Sequence, residues 1–428
     1  MGRHCFSFSG VQRLIPRLLW ISVGVLFLPA RAFALQEYYD LQRSARALGM
    51  GNAYYALSDD AYALFYNPAG LGFSKRTLAI MLVPSLTTDF TSFQFVEKVA
   101  SLNSAPLTQT ISTLEQFQGQ PLNTQVALTT PLIQWNHFAG ALMLGNLQIN
   151  SALLGQNLDS TYDVTAFYDA GLLLGYGQRV FDPHLSLGIN MKLLYRAGGR
   201  AYLSTTNFQQ LQNAFATPAQ FGGSGAGIDF DVGAIYQLPT PLLGRENRIG
   251  LTLTNILATP YPWFRDSGNP PQLCRMLSLG SMTVWDGAWI FDEFRLLADI
   301  QQVGLGGQPS LDLGGRGGVF WKHIDIGLEV PLRHVLLARV GLHQGNWSGG
   351  LGVESPFARL EIATFAEELD GGVGRLSSRR FAFQLFVGFG KGATAATPLS
   401  ETTPLPKLEE VADKPQPQHS RTEGVSVR

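Results

Sequence analysis

In the stretch LSLGINMKLLYR, residues Leu185, Leu187, Ile189, Met191, Leu193 and Tyr195 share one face, while Ser186, Gly188, Asn190, Lys192 and Arg196 share the other with Leu194. A period of two marks a β-strand with one apolar side and one polar or small side. The pattern recurs in IDFDVGAIY, where Asp229 and Asp231 oppose Ile228, Phe230 and Val232, and in FRLLADIQ, where Arg295 and Asp299 oppose Phe294, Leu296 and Ile300. It returns in IDIGLEV with Asp325 and Glu329, in LLARVGLH with Arg339, and in RLEIA with Arg359 and Glu361 on the polar side.

Two kinds of sheet alternate this way. A soluble sandwich turns its polar face to water and usually loads it with lysine. Here the polar positions Lys192, Arg196, Asp229, Asp231, Arg295, Asp299, Asp325, Glu329, Arg339, Arg359 and Glu361 carry both signs in similar number and almost no lysine. That balance suits a hydrated interior in which carboxylates and guanidinium groups neutralise one another. The expectation is an all-β, transmembrane antiparallel barrel over residues 75–390.

Fourteen candidate spans begin near Leu78, Leu128, Phe138, Thr165, Leu185, Gly227, Arg248, Arg275, Glu293, Gly318, Val335, Ser348, Phe357 and Arg379. An even count is what single-chain bacterial barrels show. Every second connection is short, as at FDPH, PLRH and ESP, whereas 91–126, 204–226, 260–273, 304–317 and 367–378 are longer. Short periplasmic turns and long extracellular loops are expected from such an asymmetry. Trp135, Trp263, Trp285, Trp289, Trp321 and Trp347 fall near proposed strand ends, where amphipathic rings anchor at membrane interfaces. Within loop 91–126, Phe95, Val96, Val99, Leu102, Leu107, Ile111 and Leu114 form a broken helical stripe, suited to a capture groove or to packing on the barrel rim. Pro84 and Pro131 read as strand ends, the alternative being a bulge that opens the wall.

Composition narrows the class further. The chain is 45% hydrophobic and 15% charged with net charge −1, which excludes a nucleic-acid binder and a disordered chain. Arg13 and Arg17, the apolar run LLWISVGVLFL and the small residues of ARAFA predict a cleaved signal peptide over 1–34. Cys5 would leave with it, so Cys274 has no intrachain partner. Residues 391–428, rich in Pro, Thr and Glu, read as a disordered periplasmic tail.

Residues 35–74 precede the first wall strand, and a barrel of this size has a bore too wide for its own side chains to fill. The stretch ALGMGNAYYALSDDAYALFYNPAGLGF has the means to fold inward as a hatch. Gly49 and Gly51 permit close backbone approach, and Asn67-Pro68-Ala69-Gly70 makes a sharp reversal into the first strand. Asp59 and Asp60 either cap the helix-like AYALFY or pair with lumen arginines. Gly49-Met50-Gly51 is not a dinucleotide loop, because Tyr54 stands where a third glycine is needed and no strand precedes it. No His/Cys cluster has metal-ligand spacing, and the histidines lack a serine partner, so neither metal, cofactor nor catalysis is expected.

The run RSARALGMGNAYYALSDDAYALFYNPAGLG resembles the N-terminal segment of the long-chain fatty-acid transporter (FadL-like) family of outer-membrane barrels and of the related PorV/PorQ-like proteins. The resemblance is carried by ALGMGNA and DDAYALFYNPAGL, with Asn67, Pro68 and Ala69 matching the family's Asn-Pro-Ala motif. It implies a hatch inside a fourteen-stranded barrel of the Gram-negative outer membrane. It also implies passage of a hydrophobic small-molecule substrate past that hatch or sideways into outer-membrane lipid. The PorV-like side implies instead a scaffold with a secretion-system protein partner.

Overall fold

The computed structural model describes residues 40–74, 78–100, 112–113, 116–117, 120–154, 161–204, 222–259, 261–266, 268–304, 320–333, 335–355, 357–369 and 377–389. The chain divides into two units, Met1–Ala396 and Thr397–Arg428, and every described residue belongs to the first. The expected signal peptide 1–34, residues 35–39 and the tail 391–428 lie outside the described residues, as do Leu102, Leu107, Ile111 and Leu114 of the helical stripe.

The strands are β1 (Ala79–Asp89), β2 (Pro121–Trp135), β3 (Phe138–Leu154), β4 (Thr161–Arg179), β5 (Leu185–Ser204), β6 (Ser224–Gln237), β7 (Glu246–Thr254) and β8 (Trp263–Asp266). They continue with β9 (Met276–Asp286), β10 (Glu293–Gly304), β11 (Ile324–Leu332), β12 (Leu336–His343), β13 (Asn346–Glu354), β14 (Ala358–Glu368) and β15 (Ser377–Phe389). Neighbours pair antiparallel, β1 pairs with β15, and β5 pairs with β6, so the sheet closes on itself. The short β8 touches only β6, and β7 pairs directly with β9, leaving a ring of fourteen. The expected all-β barrel is present.

The alternation explains the closure. Leu187, Ile189, Leu251, Leu279, Val340 and Leu351 are exposed on the outside, whereas Lys192, Asp229, Arg295 and Glu329 are buried on the inside. In water such an apolar belt would be an aggregation site, but in a bilayer it is the required outer surface, and ring closure satisfies every backbone ladder. Exposed Trp135 and Trp289 lie at the short-turn end, and exposed Trp263, Trp321 and Trp347 at the other. The long-loop end has one exception, the two-residue turn at 344–345, where Gln344 (φ 50°) and Gly345 (φ 78°) adopt the left-handed pair that a tight hairpin demands.

Three strands, β1, β2 and β11, depart from the expectation. β2 starts at Pro121, earlier than Leu128, and β11 starts at Ile324 behind a 3₁₀ turn (Phe320–His323), later than Gly318. Pro84 and Pro131 sit inside β1 and β2 and do not end them. Each lies beside a register shift, between Met81 and Val83 for β1–β2 and between Thr129 and Leu132 for β2–β3. A bulge frees a ladder position from donating, which is where a strand tolerates proline. A third shift, between Met143 and Asn146, lies on the β3–β4 pairing.

Residues 40–74 run through the bore. They comprise a one-turn helix (Ala45–Gly49) and two 3₁₀ helices (Ala61–Leu64 and Pro68–Phe73), nearly all buried. Asp40 accepts from Gln302 near the long-loop end of β10, and Ser74 accepts from Gln134 near the short-turn end of β2 at 2.5 Å. Between these ends the segment touches inward positions around the whole ring. Its helix packs Ala45 and Leu48 on Ala363, Phe365 and Ala382, and its last turn packs Ala69 and Phe73 on Ile235. Glycines make room for its backbone: a Cβ on Gly327 would meet the Met50 Cβ at 2.7 Å. Gly51 has φ +67°, and a Cβ there would strike the Ile326 carbonyl oxygen at 2.7 Å.

Candidate functional site

The centre of the bore is a buried charge network around Glu329. Its carboxylate accepts from Arg46 Nε and Nη2 at 2.8 Å each, from Arg295 at 2.7 Å and from Arg339 at 2.7 Å. Arg46 also donates to Asp59 at 2.6 Å and to the Tyr54 hydroxyl at 3.1 Å. Asp60 accepts from the Tyr62 N–H at 2.9 Å, capping the first 3₁₀ helix, and pairs with Arg359 at 3.3 Å. Glu361 takes Arg339 and, at 3.2 Å, Arg359. An unpaired ion here would be costly, and each of these has an opposite charge within reach. Asp59 pairs with Arg46 of its own segment at 2.6 Å and with the lumen residue Arg295 at 3.9 Å, and Asp60 both caps and pairs with a lumen arginine. Burial pushes the Tyr54 phenol well above its ordinary value, so it stays a neutral hydrogen-bonding group.

Asp299 anchors the same segment differently, accepting from the Tyr54 and Tyr55 N–H groups at 2.6 and 3.0 Å. Asp325 faces the wall and not the segment, bonding His343 Nδ1 at 2.8 Å. Asn67 caps the second 3₁₀ helix through the Ala69 N–H (3.1 Å) and donates to the Tyr55 carbonyl (2.9 Å). The Asn-Pro-Ala-Gly motif thus begins a helix, with Pro68 in its first turn, instead of making a reversal into the strand. Gly70 lies against the Ser58 backbone, and Gly49 against Gly350 with its would-be Cβ 3.0 Å from the Gly350 Cα.

The remaining four lumen residues hold something the sequence did not reveal, namely the inward parts of the connection between β7 and β9, with Asn255, Thr259, Tyr261 and Leu273 buried. Asp229 accepts from the Leu257 and Thr259 N–H groups at 3.0 Å each and from the Thr259 hydroxyl. Asp231 accepts from the Asn255 N–H at 2.8 Å and from Lys192 at 2.6 Å. Arg196 makes a two-pronged pair with Asp169 and reaches the Pro271 carbonyl at 3.2 Å, its guanidinium over the Phe167 and Tyr261 rings. Arg46, Asp169, Asn255 and Gln42 were not singled out from sequence. The uneven pairing of Glu329 and the acidic face beside Arg196 were the available signals.

A cavity of about 40 Å³ lies where the segment meets this loop, lined by Asp40–Arg43, Tyr55, Leu64–Tyr66, Lys192, Asp231, Thr254, Asn255, Leu273, Met276 and Gln302. That volume has room for water but falls short of the ~150 Å³ of a cavity that takes benzene. Gln42, at its edge, donates to the Tyr62 hydroxyl at 3.0 Å and accepts from Thr129 at 2.6 Å, and the Leu41 carbonyl accepts from Asn146. Thr129 and Asn146 flank the irregular positions of β2 and β3. Residues 41–42 are therefore seated directly behind the disturbed wall.

No family model matches the chain, and no curated protein matches its sequence. Among solved structures it is similar to the monoaromatic hydrocarbon channel CymD, at 12% identity over 83% of this chain and 99% of that one, with TM-score 0.45. The Ralstonia pickettii toluene transporter TbuX is similar at 13% identity, over 81% and 98% of the two chains, with TM-score 0.46. The Pseudomonas putida toluene transporter TodX is similar at 11% identity, over 82% and 99%, with TM-score 0.42.

Proposed function

We propose that the protein is an outer-membrane channel for hydrophobic small molecules, with residues 35–74 as its hatch. Residues 1–34 direct export and are removed, 75–390 form the wall, and 391–428 stay in the periplasm. The observation that carries this reading is the seating of Leu41 and Gln42 behind the register shifts of β1, β2 and β3. Lost ladder bonds lower the cost of opening that patch of the wall. An apolar cargo gains little from a water-filled periplasm, whereas sideways release into lipid keeps its surface out of water, worth ~25 cal/mol per Å². The hatch suits movement, because it is held to the wall largely by polar bonds that water replaces when they part. The reading needs no catalytic group and no cofactor.

Native mass spectrometry of protein extracted gently from the outer membrane tests it. A co-released apolar molecule, lost when Asn67→Ala uncaps the hatch helix, is the expected result. An empty barrel carrying a stoichiometric protein partner would overturn it in favour of a secretion scaffold.

A further inference from the structure

The cavity between the segment and the inward loop has a charge pattern that selects among hydrophobic cargoes. Resting on the channel reading, we infer that the ligand held there is uncharged, an apolar chain or ring with at most a neutral polar end, and that carboxylates are rejected.

Each cation in the lining is already saturated. Lys192 donates to Asp231 at 2.6 Å and to the Asn255 side chain at 2.5 Å, and Asp231 also takes the Asn190 side chain at 3.0 Å and the Asn255 N–H at 2.8 Å. Arg43 donates to Asp40 at 2.9 Å and also to Glu367, so one guanidinium serves two carboxylates. Gln302 completes the shell of Asp40 at 2.9 Å. Lys192 is thus balanced by Asp231, and at Arg43 the second carboxylate, Glu367, is shared with His343 at 3.3 Å, so neither cation is left over. Burial lifts the Asp40 carboxyl above its ordinary range despite the neighbouring Arg43, and Glu367 adds to the lift.

An entering carboxylate gains a cation only by taking it from Asp231 or Asp40, which leaves a buried carboxylate unpaired. An uncharged guest takes nothing. It meets Tyr55, Leu64, Phe65, Leu273 and Met276, whose apolar surfaces need no polar partner. Tyr66 offers no free handle either, since its hydroxyl donates to Asn52 at 2.8 Å and accepts from the Ser44 N–H at 3.3 Å. The guest enters as the segment gives way, because the closed cavity is smaller than any such molecule.

The test compares 1-octanol with octanoate, equal in chain length and differing in charge. Purified full-length protein in lipid nanodiscs is equilibrated with each labelled probe at a pH of about 8, where the acid is ionised, and empty nanodiscs are subtracted. Octanol is expected to bind at least about tenfold more tightly than octanoate. Asp231→Asn leaves Lys192 without its counter-charge, and Asp40→Asn relieves Arg43 of one; either variant is expected to narrow the difference by raising octanoate affinity. Equal binding of both probes to the unaltered protein overturns the charge inference and leaves the channel reading standing. A difference that neither variant narrows also overturns it. Binding of neither probe overturns the channel reading, and this inference with it.

Discussion

Arg46 of the N-terminal segment and Glu329 of β11 meet as a two-pronged ion pair, with both nitrogen–oxygen distances 2.8 Å. Glu329 keeps Arg295 and Arg339 when Arg46 is removed, so the wall stays compensated, whereas Asp59 loses its nearer cation at 2.6 Å and keeps only Arg295 at 3.9 Å. Arg46→Leu is therefore expected to weaken docking of the segment by ~3–5 kcal/mol without dissolving the barrel. Liposome swelling should report faster entry of small solutes, with the protein still resisting SDS as a folded barrel. Unchanged swelling would take Arg46 out of the closure.

Arg339 and Arg359 act on the same closure from the wall side. Arg359 holds Asp60 at 3.3 Å, and Arg339 holds Glu329 at 2.7 Å together with Glu361. Replacing both by glutamine is expected to raise small-solute leakage more than either change alone, because each single variant leaves one cation for Glu361. Additive effects smaller than the assay scatter would show that the two arginines only stiffen the wall.

Packing predicts a closure defect of a different kind. Gly327→Val puts a methyl-bearing carbon against the Met50 side chain, where a Cβ alone lies 2.7 Å away. Valine favours strands, so the wall itself gains while the segment loses its seat. Gly349→Val is the matched control, since its Cβ would lie 3.8 Å from the Arg339 carbonyl oxygen, an ordinary contact. Leakage is expected from the first and not from the second, at similar resistance to heat in SDS.

The barrel was legible because a period of two is local: LSLGINMKLLYR states its own inner and outer faces. Which inward charges pair was not, since Asp229 and Asp231 are satisfied by Asn255, Leu257 and Thr259 across a turn whose path sequence does not disclose. The start of β2 was hidden because Asn123 and Gln125 face a polar interior that leaves little apolar contrast; the Asn123 N–H donates to the Ser92 hydroxyl at 2.8 Å. β8 was hidden because all four of its residues are exposed and show no alternation. Arg46 passed unnoticed in a stretch whose glycines and tyrosines suggested packing, although a buried guanidinium is what a surplus of inward carboxylates requires.

The inward loop is fastened at few points, which makes its release measurable. Asp229→Ala removes the acceptor of the Leu257 and Thr259 N–H groups and of the Thr259 hydroxyl. Buried donors without an acceptor cost ~1–3 kcal/mol each, so the loop is expected to leave the bore and hydrate them outside. Tyr261, fully buried in the native protein, then becomes a chymotrypsin site in whole cells. Persistent resistance to cleavage would mean that the remaining bonds, of Asn255 to Asp231 and Lys192 and of Pro271 to Arg196, suffice to hold the loop.

Sideways release has a test that removes one bond of the segment, from the Thr129 hydroxyl to Gln42, and therefore takes the reduced variant as its own reference. Thr129 and Met143 are ladder partners at the irregular part of β2 and β3, both buried on the inner face. Antiparallel partners lie ~4.5–5.5 Å apart at Cα, within the span of a disulfide. A Thr129→Cys, Met143→Cys variant in a Cys274→Ser background should therefore staple the two strands on oxidation. Stapling limits how far that patch of wall parts, while the Arg46–Glu329 network stays untouched. Uptake of a labelled apolar probe into cells is expected to fall severalfold when oxidised and to recover with reductant, with small-solute leakage low throughout. Uptake that ignores the redox state would move the proposed exit away from β2 and β3, and a rise in leakage on oxidation would mean that the staple had displaced the segment 40–74.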